Sequence, residues 1–383
     1  MMLFILDESL DEIASDPKHE VYPKLIDEIT ALARARNAGR AVVFLESPKI
    51  YSYLSKAQEL SIHTKSVFSF LNRQRSFKLE ILKSVNVAVR ITALESQISA
   101  ATIGDRYELR VPVSKIPYDL FNSPVLLAEN LSDAKAYIIF TRMALAAGVT
   151  GFPPIGLSAE LRGGGGSTIA TEYIASKNKG DRLVLCVLDS DVRYPDGPSN
   201  AWSQAIKLHD ANHPSALTSS EIIDVYSIEN LFPLSCLPDL KPYKVDENAA
   251  FALSKDLPVL HEHAKQPYWR YIRLKNGVSC GDLRDSGELG KFWSKHKLAF
   301  DNFSSKKCKT PPDACKHDCA RNPRFRENTL QAFVERYEEA PAAELKSLHA
   351  GIPAHIAGHF DSLARVIASW MCFGKSVSGV AAA

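Results

Sequence analysis

Two uninterrupted apolar runs restrict what the middle of this chain can become: Val125-Leu126-Leu127-Ala128 and Leu183-Val184-Leu185-Cys186-Val187-Leu188. Neither alternates apolar with polar residues, so neither suits a sheet with one face in water. Both read as strands of a parallel sheet covered by helices on both faces. Acid follows each run: Glu129 after the first, Asp189 and Asp191 after the second, and Glu229 just beyond a third at residues 222–226. Ligands of such sheets gather where the strands end, so carboxylates placed there are candidate metal ligands.

The spacing predicts the order strand (125–129), helix (132–147), a Gly/Pro turn region (148–156), a glycine run (163–166), helix (167–177), strand (182–188), helix (199–210) and strand (222–226). Strands alternating with helices mean an α/β fold with a mostly parallel sheet. Ahead of it, a strand at 3–6, a helix at 22–36 and a strand at 41–45, followed by a long basic, amphipathic region, read as a smaller α/β unit. Pro112, Pro117 and Pro124 punctuate the passage out of that unit. The expected division is residues 1–120 as an amino-terminal unit that binds substrate or a partner, 121–300 as the central domain, and 301–383 as a Cys/Lys-rich segment with helices near 324–338 and 353–373. Residues 268–274 read as a further strand.

With 383 residues, 45% of them hydrophobic, the chain can bury cores for two or three domains. Its 46 basic residues almost balance 44 acidic ones, so net charge neither requires nor excludes nucleic acid. No apolar stretch reaches the roughly 18 residues of a membrane span, and the start carries no basic leader, so a soluble, cytoplasmic protein is expected. The odd, uneven set of seven cysteines argues for reduced thiols rather than a disulfide framework.

Glu129 and Asp133 stand in the pattern Glu-x-x-x-Asp, with Ser132 placed to cap the helix that follows. Asp189 and Asp191, two apart on an extended end, share a face and can hold one hard cation or bridge two. Any one of these acids alone would read as a helix cap or a solvated turn. Together they would repel one another unless a cation neutralised them. The order of motifs is acid at the first strand, a glycine-rich turn into a helix, Asp-x-Asp at a later strand, then Glu229-Asn230-Leu231. In that order the chain resembles the Toprim domain, in the version found in OLD-family (overcoming lysogenization defect) and related anti-phage nucleases. The resemblance covers about residues 123–235 and departs from the family at Asn130, where glycine is usual.

The resemblance implies that Glu129, Asp189 and Asp191 bind Mg²⁺ or Mn²⁺, that Asp133 and Glu229 complete the site, and that the reaction is phosphodiester cleavage of DNA or RNA. Two cations about 4 Å apart would clamp the scissile phosphate. Lys275 answers to a late lysine of related nucleases, giving a catalytic set of Glu129, Asp189, Asp191 and Lys275; Arg193 is a similar candidate, and for both the bland reading is a solvated turn residue. The resemblance further implies a nucleic-acid substrate and a separate ATPase or sensor partner, and leaves self-assembly into a homo-oligomer open. The competing reading is a catalytically silent binding or assembly subunit.

Other features point less clearly. Arg162-Gly163-Gly164-Gly165-Gly166-Ser167-Thr168 looks like a phosphate loop, but lacks the lysine of a P-loop; its amides serve either a substrate phosphate or close packing. Cys308, Cys315 and Cys319, with His317 between and Cys280 upstream, offer a structural Zn²⁺ site whose spacing only once matches the usual close pair. Asp7, Glu8 and Glu46 follow strands in a manner that loosely resembles PIN-like nucleases. Residues 65–83 mix Lys65, Arg73, Arg75, Lys78 and Lys83 with Phe68, Phe70 and Phe77, as a nucleic-acid surface or an amphipathic helix would.

Overall fold

The computed structural model describes residues 2–104, 106–152, 156–301, 315 and 319–373; Cys308 and His317, and the side chains of Phe77 and Lys78, lie outside the described set. The protein is α/β, with parallel sheets flanked by helices. The first sheet holds β1 (Leu3–Leu6), β2 (Val42–Leu45), β3 (Val87–Thr92), β4 (Ser99–Ile103) and β5 (Arg106–Pro112). Its order is β2-β1-β3-β5-β4, parallel except for the edge strand β4. Around it run α1 (Leu10–Ser15), α2 (Tyr22–Asn37), α3 (Pro48–Lys56), α4 (Ile62–Arg73) and α5 (Arg75–Ser84).

The central sheet is wholly parallel, in the order β10-β9-β6-β8. Its strands are β6 (Val125–Ala128), β8 (Glu160–Gly163), β9 (Val184–Leu188) and β10 (Thr218–Ile222); a short β7 (Gly156–Leu157) instead pairs with β11 (Cys372–Phe373). The apolar runs divide their side chains between two cores. Leu126, Ala128, Leu185 and Val187 join the main core with α6 (Leu131–Ala147). Val125, Leu127, Val184, Cys186 and Leu188 pack on the opposite face against Ile169, Ala170 and Tyr173 of α7 (Ile169–Lys179) and Ile206 of α8 (Ala201–Asn212). This two-sided burial is what a strand without alternation requires.

The third central strand comes earlier than expected, at β10, while residues 223–226 have left the sheet. The edge strand is the half-buried polar run Thr218-Ser219-Ser220-Glu221, and the apolar Ile223 and Val225 pack into the main core beyond it. Residues 268–274 are not a strand either: Pro267–Tyr271 forms a 3-10 turn. Its carbonyls at Trp269 and Ile272 accept from the buried Asn230 side chain, at 2.7 and 3.0 Å, in place of ladder partners.

Beyond the central sheet the chain is helical: α9 (Lys241–Lys244), α10 (Glu247–Ala264), α11 (Cys280–Arg284), α12 (Glu288–Lys295), α13 (Lys297–Asp301), α14 (Thr329–Tyr337), α15 (Ala342–His349) and α16 (Ala354–Met371). Helices α14, α15 and α16 pack on α6, where Phe140 meets Phe232, Phe333 and Phe360 at ring distances of 5.4–5.6 Å. The same main core reaches from Leu3 to Met371.

Candidate functional site: an acidic cluster at the switch point

From β6 the chain crosses to β8 on one side, and later to β9 on the other. The order of strands therefore reverses between β6 and β9, and such switch points open a crevice at the carboxyl ends of the strands. Glu129 stands at the end of β6 and Asp189 at the end of β9, on either side of that crevice.

Asn130, not Ser132, is the N-cap of α6. It sits in extended backbone (φ −131°) and forms a capping box with Asp133, whose Oδ2 accepts the Asn130 N–H at 2.9 Å. The position therefore does not call for glycine's conformational freedom, which accounts for the Asn130 departure. Past β9 the chain is not extended: Asp191 has φ 54°, in the left-handed region. The Asp-x-Asp pair thus does not share a strand face. Asp189 Oδ1 accepts the Ile228 N–H at 3.0 Å, whereas Asp191 Oδ2 accepts from Asn200 Nδ2 at 2.9 Å. Glu229, almost completely buried, accepts from Ser227 Oγ at 2.8 Å and pairs with Lys275 Nζ at 2.8 Å.

Electrostatics tie all five carboxyls together. Burial, then the charges of Asp191 and Asp133, push Glu129 up to about 7, with Lys275 opposing and Glu229 adding to the rise. Asp133 rises to about 6 through burial, against its Asn130 hydrogen bonds, with Glu229 adding repulsion. Asp189 is pushed well above the carboxylate range by burial, then by Glu229, Glu129, Asp133 and Asp191. Burial works to lower Lys275, but Glu229, Asp189 and Asp133 raise it overall. Arg193 does not serve the cluster in this way: it pairs with Asp282, which also takes Arg273 at 3.1 Å.

Three site residues escaped the sequence reading. Tyr137 is buried beneath the cluster, its hydroxyl pushed well up by burial and then by Asp189, Asp133, Glu129 and Glu229. It lies one helical turn beyond Asp133, a spacing that could have flagged it. Tyr226 hydrogen-bonds Asp191 and is likewise raised, by burial first. Asn200 caps α8 while donating to Asp191 Oδ2 and to the Asp189 carbonyl.

The glycine run is explained by close approach. A Cβ on Gly163 would stand 2.7 Å from the Leu131 nitrogen, and one on Gly164 would stand 2.6 Å from Ile169 Cβ. The Gly164 and Gly166 amides donate to the Ala128 and Glu129 carbonyls at 2.7 and 3.0 Å, so they hold the end of β6.

The amino-terminal sheet has its own switch point, between β1 and β3, and there the acids are already matched. Arg90 Nη1 contacts Asp7 at 2.7 Å and Glu46 at 2.5 Å, and its Nε contacts Glu108 at 2.7 Å. A guanidinium thus neutralises these three acids together; Glu8 is exposed. In the basic stretch, Val67, Phe68 and Leu71 are core residues and Arg75 donates to the Leu45 and Glu46 carbonyls, as an amphipathic helix requires.

Among the described residues, no group of three or more His, Cys, Asp or Glu side chains is placed so that it could hold a metal ion, and no helix is long and apolar enough to cross a membrane. No family model, curated protein or solved structure matches the chain.

Proposed function

We propose that the protein is a divalent-metal-dependent hydrolase of nucleic-acid phosphodiester bonds. The observation that carries this reading is the charge balance at the switch point: five carboxyls face one lysine, and three of the five are driven toward the protonated form by burial and mutual repulsion. Natural folds keep such a concentration of like charge where a cation is to be bound. The donors are all carboxylate oxygens, which suit Mg²⁺ or Mn²⁺ rather than thiophilic metals. Glu129, Asp189 and Asp191 would hold the metal, with Asp133 and Glu229 bordering it. When bound, the metal would lower the pKa of an attacking water and stabilise the leaving oxygen.

The chain's own residues have separate tasks. Lys275, two-thirds exposed at its side chain, can swing from Glu229 to a phosphate oxygen once a cation relieves Glu229. Asn200 and Tyr226 orient Asp191. Asn130 fixes Asp133 by the capping box. A role as toxic effector of an anti-phage system, with a separate ATPase or sensor, follows from the Toprim and OLD resemblance and extends this reading.

Incubation with plasmid, single-stranded DNA and total tRNA, in Mn²⁺ and in EDTA, tests the reading. Metal-dependent products that vanish in Glu129→Ala and Asp189→Ala are expected. Gel shifts without products would favour the silent binding subunit, and full cleavage by both variants would remove these residues from the site.

A further inference from the structure

We propose that strand β10 and the cleft beside it receive an extended segment of a partner protein, which adds a strand to the central sheet and sets a lysine or arginine against Glu221. Strand β10 is the outer strand of its sheet and, among the described residues, pairs with β9 alone. The Val184 N–H donates to the Leu217 carbonyl and the Ile223 N–H to the Leu188 carbonyl, both at 3.0 Å. These bonds fix the alternation of the parallel ladder: residues 217, 219, 221 and 223 turn their backbone groups to β9, while Thr218, Ser220 and Ile222 turn theirs away from it. Among the described residues those outward groups have no backbone partner. An edge of that kind is a template for one more strand.

A cleft of about 410 Å³ runs along this edge, and it is also lined by Val87 of β3, Tyr107 of β5, and Val366 and Trp370 of α16. Trp370 is buried, whereas Tyr107 is exposed. The cleft thus offers apolar and aromatic surface together with a row of unused backbone groups. Strand addition draws on that combination, with main-chain bonds for affinity and side-chain pockets for selection.

Charge selects the occupant. Two acids line the cleft, Asp210 and Glu221. Asp210 is matched: it pairs with Lys177 and accepts from Tyr173 Oη at 2.9 Å and from Ser220 Oγ at 2.6 Å. Ser220 stands beside Cys186 in the ladder, on the face turned to α7 and α8, whereas Glu221 stands beside Val187, on the face turned to the main core. There Glu221 is half-buried, and burial raises its carboxyl above the ordinary value with no neighbouring cation or hydrogen bond to oppose the rise. A cation carried in by the added strand would relieve that unmatched carboxylate. An acidic segment would add repulsion, and an uncharged one would leave the carboxylate as it is.

Synthetic peptides test this on the full-length protein. Capped, fluorescein-labelled peptides of about six residues, the usual strand length, alternate valine with threonine and carry lysine, norleucine or glutamate at the centre. Fluorescence anisotropy should show saturable binding of the lysine peptide and binding at least about tenfold weaker for the other two. Glu221→Gln should bring the lysine peptide to the norleucine level, and N-methylation of its alternate amides should abolish binding. Hydrogen exchange should show the Thr218, Ser220 and Ile222 amides protected when the lysine peptide is bound. Should Glu221→Gln fail to fold, the N-methylated peptide and the exchange pattern of the wild type decide alone. The proposal is overturned by no saturable binding of the lysine peptide up to about 1 mM, by equal binding of the lysine and glutamate peptides, or by binding that survives N-methylation or the folded Glu221→Gln variant. Protection of the same three amides by self-association of the peptide-free protein would overturn it too, since a second copy would then fill the edge. None of these readouts involves cleavage, so they stand or fall apart from the acidic cluster.

Discussion

Asp189 shows most clearly how a residue can oppose stability and serve function. Its carboxyl is pushed well up by burial and by four neighbouring acids, so without metal the folded state must either protonate it or bear the repulsion. Asp189→Asn keeps an oxygen to accept the Ile228 N–H and removes the charge. The metal-free variant should be more stable than the wild type by about 0.5–2 kcal/mol, while metal-dependent cleavage is lost. Urea unfolding in EDTA, run beside the nuclease assay, checks both; a destabilised variant would mean that the charge is satisfied in the apo protein and that the cluster is not strained.

At the level of elements, the close contact of β8 with the start of α6 decides where Glu129 and Asp133 stand. Gly163 pairs with Ala128 across the ladder, and a Cβ added to it would meet the Leu131 nitrogen at 2.7 Å and the Asn130 backbone at 3.0 Å. Neither partner can step aside without disturbing the capping box. Gly163→Ala should therefore cost about 1–3 kcal/mol, as overpacking does, and weaken metal binding with it; an unchanged denaturation midpoint would show that β8 moves freely. Legibility in the sequence follows the same physics. Strands β6 and β9 were plain because burial on both faces demands unbroken apolar runs. Strand β3 was hidden because Arg90 interrupts it, and that arginine makes sense only beside Asp7, Glu46 and Glu108, which come from three other parts of the chain. The aromatic run at 268–274 imitated a strand because sequence does not reveal that Asn230 takes its carbonyls. The acids were visible as strand-end residues, whereas Tyr226 and Asn200 join them only through loops whose paths are set by tertiary contacts.

On the scale of the whole molecule, one core runs through both sheets and the carboxy-terminal helices, so strain at the switch point should register in global unfolding. Glu129 is raised from 4.5 to about 7 and Asp133 from 3.8 to about 6. For both, the folded state binds a proton more tightly than the unfolded state. The stability they contribute is fully present below pH 4 or so, and is lost as pH rises through about 6 and then about 7. In EDTA the thermal midpoint should accordingly fall across that window. A cation displaces the same protons and satisfies the same charges, so saturating Mn²⁺ should raise the midpoint most at the alkaline end and flatten the fall. Midpoints measured by calorimetry across this range, with and without Mn²⁺, give the two curves. Curves that stay parallel would place metal binding away from Glu129 and Asp133, while convergence at low pH would tie the ion to these carboxyls independently of any measurement of cleavage.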